Sequence, residues 1–124
     1  MSEARNDRRI DYIELPATDV AEAKAFYHAV FGWEFVDYGP TYTCFRDGRL
    51  EGGLNGERAV PAEPGGALVV IYAVDIDLIE ERVRDAGGRI SLPVFQFPGG
   101  RRFHFVDPSG NELAVWSHLA PGDA

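Results

Sequence analysis

Residues 10–15 are rich in apolar β-branched and aromatic side chains that would point alternately to two faces, and this period of two predicts the first β-strand of the chain. Thr18 or Asp19 can then cap a helix in which apolar residues recur at helical spacing. Gly32 ends this helix, because glycine readily adopts the left-handed conformation that follows a last helical turn. Residues 33–36 begin a second strand. The opening segment is therefore predicted as strand, helix and strand.

Two further strands are predicted in the first half, over residues 41–46 and 49–54. Asp47 and Gly48 between them form a strong hairpin signal, since both residue types tolerate positive φ. Residues 55–66 are polar and rich in glycine and proline, which predicts a loop between two halves. The order of elements before this loop is β-α-β-β-β.

The second half repeats this order after the loop. Residues 67–74 are nearly all apolar and β-branched, which predicts a strand buried on both faces. Asp75 or Asp77 can cap the following helix, and a double glycine at positions 87–88 ends it. Three more strands are predicted after that glycine pair, the first of them interrupted at Pro93.

The two halves superpose when the sequence is shifted by 56 positions, which places Asp19 on Asp75 and Gly32 on Gly88. Such a repeat predicts an α+β fold in which two similar modules bury one core and enclose a concave surface. The predicted boundaries are a disordered lead-in at 1–8, a single domain at 9–118 and a tail at 119–124. Within that domain, module one covers about 9–54, the linker 55–66 and module two about 67–118.

The composition narrows the possible partners and the cellular location. The chain has 124 residues, of which 45% are hydrophobic, enough for one domain with a sizeable core. Its net charge of −8 repels nucleic-acid phosphates and anionic lipids, so neither nucleic acid nor a membrane is an expected partner. A single cysteine, Cys44, excludes an internal disulfide and a cysteine-based zinc cluster. No apolar run approaches membrane-spanning length, and a cytoplasmic location is expected.

Three stretches of the chain resemble the vicinal oxygen chelate superfamily, which includes glyoxalase I, bleomycin-resistance proteins and extradiol dioxygenases. They are ELPATDVAEAKAFYHAVFGWEF near the start, VDID followed by a helix ending in AGGRI, and the late FVDPSGNELAVW. In this order the stretches are specific to the superfamily but not to one activity within it. The resemblance implies two βαβββ modules that form a curled, half-open mixed β-barrel with the helices on the outside. It also implies a homodimer.

In metal-using members of that superfamily, four side chains on the inner faces hold one divalent ion. The resemblance places three of these positions at Tyr12, Leu68 and Ala114, and none of them is a histidine, glutamate or glutamine. The fourth falls in residues 49–54, where only Glu51 could serve. A single carboxylate does not hold a catalytic ion, so no metal and no cofactor is expected. Classical glyoxalase I or extradiol dioxygenase activity is therefore not expected either.

Strand alternation predicts which side chains line the inner face. If Tyr12 points inward, Glu14 does so too, while Ile13 and Leu15 pack on the helix. The expected pocket combines aromatic and aliphatic walls with Glu14 and His104 as convergent polar groups. The predicted ligand-binding residues are Tyr12, Leu68, Val70, Tyr72, Ala114 and Trp116.

The polar candidates each have a catalytic and a structural interpretation. His104 is a candidate general base, because imidazole titrates near neutral pH, or else a surface or core histidine. Glu14 is a candidate acid or base, or else forms a structural ion pair with an arginine such as Arg102, which we prefer. Cys44 is predicted to be buried and inert.

Two functions follow from these residues. The first is a binding protein that holds a small, partly apolar molecule in the cleft between the modules, without a metal. The second is a metal-independent isomerase or lyase that uses Glu14 or His104 for proton transfer. The aromatic residues are clearer than the catalytic ones, which favours binding, and the acidic surface would attract cationic ligands.

Overall fold

A computed structural model describes residues 3–63 and 65–119 of the chain. A short 3-10 helix, Glu3–Asn6, falls in the segment predicted as a disordered lead-in, and residues 1–2 and 120–124 of the predicted termini lie outside the described part. The two α-helices of that part are α1 (Val20–Phe31) and α2 (Ile76–Asp85). The strands of the first module are β1 (Tyr12–Pro16), β2 (Glu34–Asp37), β3 (Tyr42–Arg46) and β4 (Glu51–Asn55). Those of the second are β5 (Val69–Tyr72), β6 (Arg89–Phe97), β7 (Gly100–Val106) and β8 (Glu112–His118).

The strands form two four-stranded mixed sheets with the orders β1-β4-β3-β2 and β5-β8-β7-β6. In each sheet the first strand runs parallel to the last one, and the remaining pairs are antiparallel. The predicted α+β fold of two βαβββ modules is therefore confirmed. β1 and β5 are edge strands of separate sheets, so the described strands do not close into a barrel.

Local signals in the sequence set the ends of both helices. The Asp19 carboxylate caps α1 by accepting a hydrogen bond from the Glu22 amide at 3.0 Å. Gly32 ends α1 with a left-handed φ of 73°. Of the two candidate caps for α2, Asp75 accepts from the Leu78 amide at 3.2 Å and is the N-cap.

The prediction that residues 67–74 form a strand buried on both faces is wrong. Only Val69–Tyr72 are β5, and Val70 and Tyr72 are 41% and 49% exposed. The reason is that β5 pairs with β8 on one side only, and its second face lies on the open inner surface of the sheet. The expected interruption at Pro93 appears instead as register shifts within a continuous β6, an edge strand where proline is tolerated.

The two modules share one hydrophobic core beneath the helices. Phe26 of α1 reaches across to Phe105 of β7, with 5.9 Å between the ring centroids. Trp33 stacks on Tyr27 at 4.7 Å and on Phe45 at 4.4 Å. These aromatic contacts bury the apolar stripe of α1 against both sheets, which holds the two modules together.

A hydrogen-bonded joint adds to this core at the turn between β7 and β8. The buried Asp107 carboxylate accepts a 2.7 Å hydrogen bond from the Tyr27 hydroxyl and further bonds from the backbone amides of residues 109–111. The Asn111 side chain donates both to Asp107 and to the Pro16 carbonyl oxygen. The turn that carries the Asp-Pro-Ser-Gly-Asn sequence therefore ties the second module to β1 and α1 of the first.

Candidate functional site

A seam separates the two modules where the edge strands β1 and β5 face each other. Both strands contribute side chains to the same two cavities along this seam. Within the described residues, however, β1 and β5 are hydrogen-bonded into separate sheets. Clefts at module interfaces are common places for ligands, because neither module fills them. We call the cavities the larger seam cleft and the smaller seam cleft.

The larger seam cleft has a volume of about 1030 Å³ and mainly apolar and aromatic walls. Trp33 and Phe45 lie at its floor and are only 6% and 4% exposed. Arg9, Asp47 and Arg49 contribute charged groups. Its aromatic side chains are Phe31, Trp33, Phe45, Tyr72 and Trp116.

Three rings form a cluster at the rim of this cleft. The parallel register of β5 and β8 pairs Tyr72 with Trp116 on one face, with 5.2 Å between their ring centroids. His118 lies 4.6 Å from Trp116 and 5.4 Å from Tyr72, again between centroids. We call Tyr72, Trp116 and His118 the rim cluster. Because Tyr72 is half exposed, the cluster offers a ring face to solvent or to a ligand.

The smaller seam cleft has a volume of about 460 Å³ and contains Glu14 and Leu68. The Glu14 carboxylate accepts a hydrogen bond from the Asn55 amide at 3.2 Å and lies 3.9 Å from the Arg58 guanidinium. Arg58 also donates to the Glu14 carbonyl oxygen at 3.1 Å. Glu14 therefore forms the preferred structural ion pair, but with Arg58, and the pairing predicted with Arg102 is wrong. Arg58 closely follows β4, the strand paired with β1, whereas Arg102 belongs to the other sheet.

On the inner face of the first sheet, the Tyr12 and Tyr42 hydroxyls are hydrogen-bonded at 2.5 Å. Desolvation, followed by the hydrogen bonds to Tyr42 and Cys44, raises the pKa of Tyr12 well above its ordinary value. Tyr12 is therefore a neutral hydrogen-bonding group at physiological pH. Cys44 is buried, as predicted, with its sulfur 3.9 Å from the Glu51 carboxylate.

On the inner face of the second sheet, His104 takes part in a chain of polar contacts. Its Nδ1 lies 3.4 Å from the Glu112 carboxylate, and its Nε2 accepts from Arg102 Nε at 3.1 Å. Ser91 donates to the same Glu112 oxygen at 3.1 Å. Both nitrogens of His104 are therefore engaged within the sheet, and only 12% of its side chain is exposed.

The structure distributes the predicted site residues over the seam and the two inner faces. Glu14 and His104 lie on different sheets with separate partners, and the structure does not bring them into one cavity. Ala114 is fully buried on β8, between Val70 of β5 and His104 of β7 in the strand register. Val70, Tyr72 and Trp116 line the larger seam cleft, Glu14 and Leu68 line the smaller one, and Tyr12, Ala114 and His104 line neither.

Sequence reasoning missed the floor of the larger seam cleft. Phe31, Trp33 and Phe45 belong to the helical side of the first sheet, which alternation assigns to the core. They reach the cleft because the edge strands β1 and β5 stay apart, so the core side opens along the seam. No periodicity in the sequence could have indicated this opening, since it depends on how the two sheets sit together.

The positions at which the superfamily resemblance implies metal ligands do not fit a metal ion. Leu68 and Ala114 have no donor atom, and the Tyr12 hydroxyl is bonded to Tyr42. Among the four positions, Glu51 alone carries a metal-binding carboxylate, and one carboxylate is not enough to hold a metal ion. Within residues 3–63 and 65–119, no group of three histidine, cysteine, aspartate or glutamate side chains is placed to hold a metal. The helices of the same residues include none that is long and apolar enough to cross a bilayer.

Two curated relatives match most of this chain but extend well beyond it. The protein named "Putative glyoxylase CFP32" of Mycobacterium bovis is 28% identical over 122 residues, covering 86% of this chain and 44% of the relative. The anthracycline biosynthesis protein DauV of Streptomyces sp. (strain C5) is 32% identical over 124 residues, covering 85% of this chain and 45% of the relative. The chain thus spans less than half the length of these relatives.

Comparison with solved structures and with a family model agrees with the fold described above. The fosfomycin resistance protein FosX from Listeria monocytogenes superposes with a TM-score of 0.78 at 18% identity, covering 90% of this chain and 91% of FosX. A family model matches residues 9–115, nearly the whole of the two modules. The chain therefore belongs to the Glyoxalase/Bleomycin resistance protein/Dioxygenase superfamily.

Proposed function

We propose that this chain binds a small, partly apolar molecule in the larger seam cleft. The observation that carries the proposal is the cleft itself, about 1030 Å³ with five aromatic side chains in its walls. That volume is at the upper end of ordinary small-molecule sites. Aromatic walls hold a planar ligand by stacking and by removing apolar surface from water.

The charged groups at this cleft suit a binding site of that kind. Arg9, Asp47 and Arg49 line the same cleft as the aromatic residues, so apolar surface is combined with a few polar groups. Such groups fix the orientation of a ligand that stacking alone would leave free to slide. The name of the relative DauV, an anthracycline biosynthesis protein, supports an aromatic ligand class for this chain.

The second candidate function is a metal-independent isomerase or lyase. The contact of His104 with Glu112 favours it, because a carboxylate that orients an imidazole is a common arrangement in proton transfer. However, Arg102 occupies Nε2, the nitrogen that would accept a substrate proton, so proton transfer needs Arg102 to move away. Glu14 is likewise engaged with Asn55 and Arg58. These contacts support binding over catalysis.

Isothermal titration calorimetry with 2-naphthamide and with an anthracycline tests the proposal. Tyr72→Ala removes a half-exposed ring of the rim cluster, and the expected loss of one stacking contact weakens binding by about 3- to 10-fold. Tyr38→Ala is the matched control, because Tyr38 is 65% exposed and does not line the cleft. It should leave binding unchanged.

Two results would count against the proposal. The first is the absence of heat with either compound at millimolar concentration. The second is an equal effect of the two alanine variants, which would place the ligand outside the cleft. Proton exchange of an added substrate that is lost in Glu14→Gln or in His104→Gln would instead favour the enzyme.

A further inference from the structure

Arg102 presents unused hydrogen-bond donors on the inner face of the second sheet, beside the larger seam cleft. The register of β7 and β8 pairs it with Trp116, a member of the rim cluster. Its guanidinium carbon lies 5.8 Å from the centroid of the Phe95 ring on β6, and its Nε donates to His104 Nε2. Nη1 and Nη2 have no hydrogen-bond partner within the part of the chain that the structure describes.

The contacts behind Arg102 hold it in one orientation. Arginine is always protonated and only donates, so His104 Nε2 must accept and the ring proton lies on Nδ1, facing Glu112. Glu112 receives a further hydrogen bond from Ser91 on β6. The hydrogen bond to His104 and the position of the guanidinium over the Phe95 ring thus restrain Arg102 before any ligand arrives.

The charge of Arg102 remains available for a ligand. Among residues 3–63 and 65–119, no carboxylate forms an ion pair with Arg102, because that of Glu112 contacts the His104 ring and the Ser91 hydroxyl instead. A buried or half-buried arginine without a carboxylate partner gains most from an anion that supplies two oxygens, since its planar fork binds both at once.

We propose that Arg102 binds an anionic oxygen group, such as a carboxylate, of a ligand whose aromatic part stacks on the rim cluster. This inference rests on the proposed function, because Trp116 is shared between the aromatic wall of the cleft and the strand pair that carries Arg102. His104 is a positioning residue that acts through Arg102. The net charge of −8 slows the approach of an anion from a distance. The planar guanidinium of Arg102 determines which chemical group is bound once the ligand has arrived.

Matched titrations of 2-naphthoate and 2-naphthamide test this inference, because the two probes share a ring and differ in charge. The expected result for the wild type is an affinity for the acid at least about 10-fold above that for the amide. Arg102→Gln should bring that ratio close to one. Arg102→Lys, which keeps the charge and loses the fork, should give an intermediate ratio. Arg84→Gln is the matched control, since Arg84 lies on α2 and pairs with Glu80.

Two variants of His104 test its positioning role. His104→Gln keeps an acceptor for Arg102 Nε and should retain most of the preference for the acid, whereas His104→Leu should lose it. A purely structural role would weaken both probes alike and leave the ratio unchanged. If Arg102→Gln and Arg102→Lys leave the ratio as it is in the wild type, the inference is wrong while the proposed function stands. If both naphthyl probes fail to bind while the anthracycline binds, the inference is wrong and the proposed function stands; failure of all three compounds overturns both.

Discussion

The strongest test of the fold is the removal of one hydroxyl group from the joint between the modules. Tyr27 is fully buried, and its hydroxyl donates to the Asp107 carboxylate at 2.7 Å. Tyr27→Phe keeps the ring and its stacking on Trp33, so the change deletes a hydrogen bond without opening a large cavity. A hydrogen bond to a charged group contributes about 1.5–3 kcal/mol. We therefore expect the free energy of unfolding to fall by about that amount.

Urea unfolding followed by tryptophan fluorescence measures this loss, because Trp33 stacks on Tyr27 in the core. The dependence of the free energy on urea concentration should stay unchanged if only stability is affected. Tyr38→Phe is the matched control: its side chain is 65% exposed, and its loss should be below about 0.5 kcal/mol. A double-mutant cycle with Asp107→Asn should show a coupling energy of about 0.5–3 kcal/mol.

The same variant has a signature at alkaline pH. Burial, and after it the charge and hydrogen bond of Asp107, raises the pKa of Tyr27 well above its ordinary value. Because the folded pKa exceeds the unfolded value of about 10, the stabilisation by neutral Tyr27 is complete below that pH and is lost as the pH rises beyond it. Tyr27→Phe should show a shallower alkaline loss. Equal losses of stability for Tyr27→Phe and Tyr38→Phe, in urea and at alkaline pH, would show that the Tyr27–Asp107 hydrogen bond does not stabilise the contact between the modules.

Two further predictions concern neighbouring glycines and a surface ion pair. Gly52→Ala should lower the free energy of unfolding by about 1–3 kcal/mol in urea, because a Cβ there would meet the Ile13 carbonyl oxygen. Gly53→Ala should lower it less, because the added Cβ meets the movable ends of two tyrosine side chains. Equal losses for the two variants would contradict this packing. The Lys24 ammonium holds the pKa of Asp37 below its ordinary value, with a 2.9 Å contact, so Lys24→Met should raise that pKa in an NMR titration. The stabilisation that ionised Asp37 gains from Lys24 is present above an unfolded pKa of about 3.9 and is lost as the pH falls below it. Lys24→Met should therefore lose less stability in acid than the wild type. An unchanged pKa of Asp37 in Lys24→Met would show that the ion pair does not lower it.

Local sequence signals predicted the elements that depend on neighbouring residues. The Asp19 cap, the Gly32 helix end and the Asp47-Gly48 hairpin all appear in the structure, with φ angles of 73° at Gly32 and 96° at Gly48. Their physics involves a side chain and a backbone group only a few residues apart, so the information lies within a short window. The alternation along β1 likewise assigned Leu15 to the core side.

Local sequence signals did not predict the burial of β5 or the ion-pair partner of Glu14. Apolar composition made β5 look buried on both faces, but its position at a sheet edge leaves Val70 and Tyr72 half exposed. The ion-pair partner of Glu14 is Arg58, because the parallel pairing of β1 with β4 brings that loop close. Both outcomes depend on which strands are neighbours, and residue type alone does not specify that.

By itself, then, the sequence determined the order of elements, the twofold βαβββ repeat, the superfamily and the poor fit of its metal positions to a metal ion. Each of these depends on residue identity at short or regular spacings. Only the tertiary structure decided that Tyr27 meets Asp107, 80 positions away, and that the seam opens the core side of Trp33 and Phe45 to a cleft. The physical reason is that the packing of one module on the other is a long-range balance of buried area and hydrogen bonds, which no local pattern records.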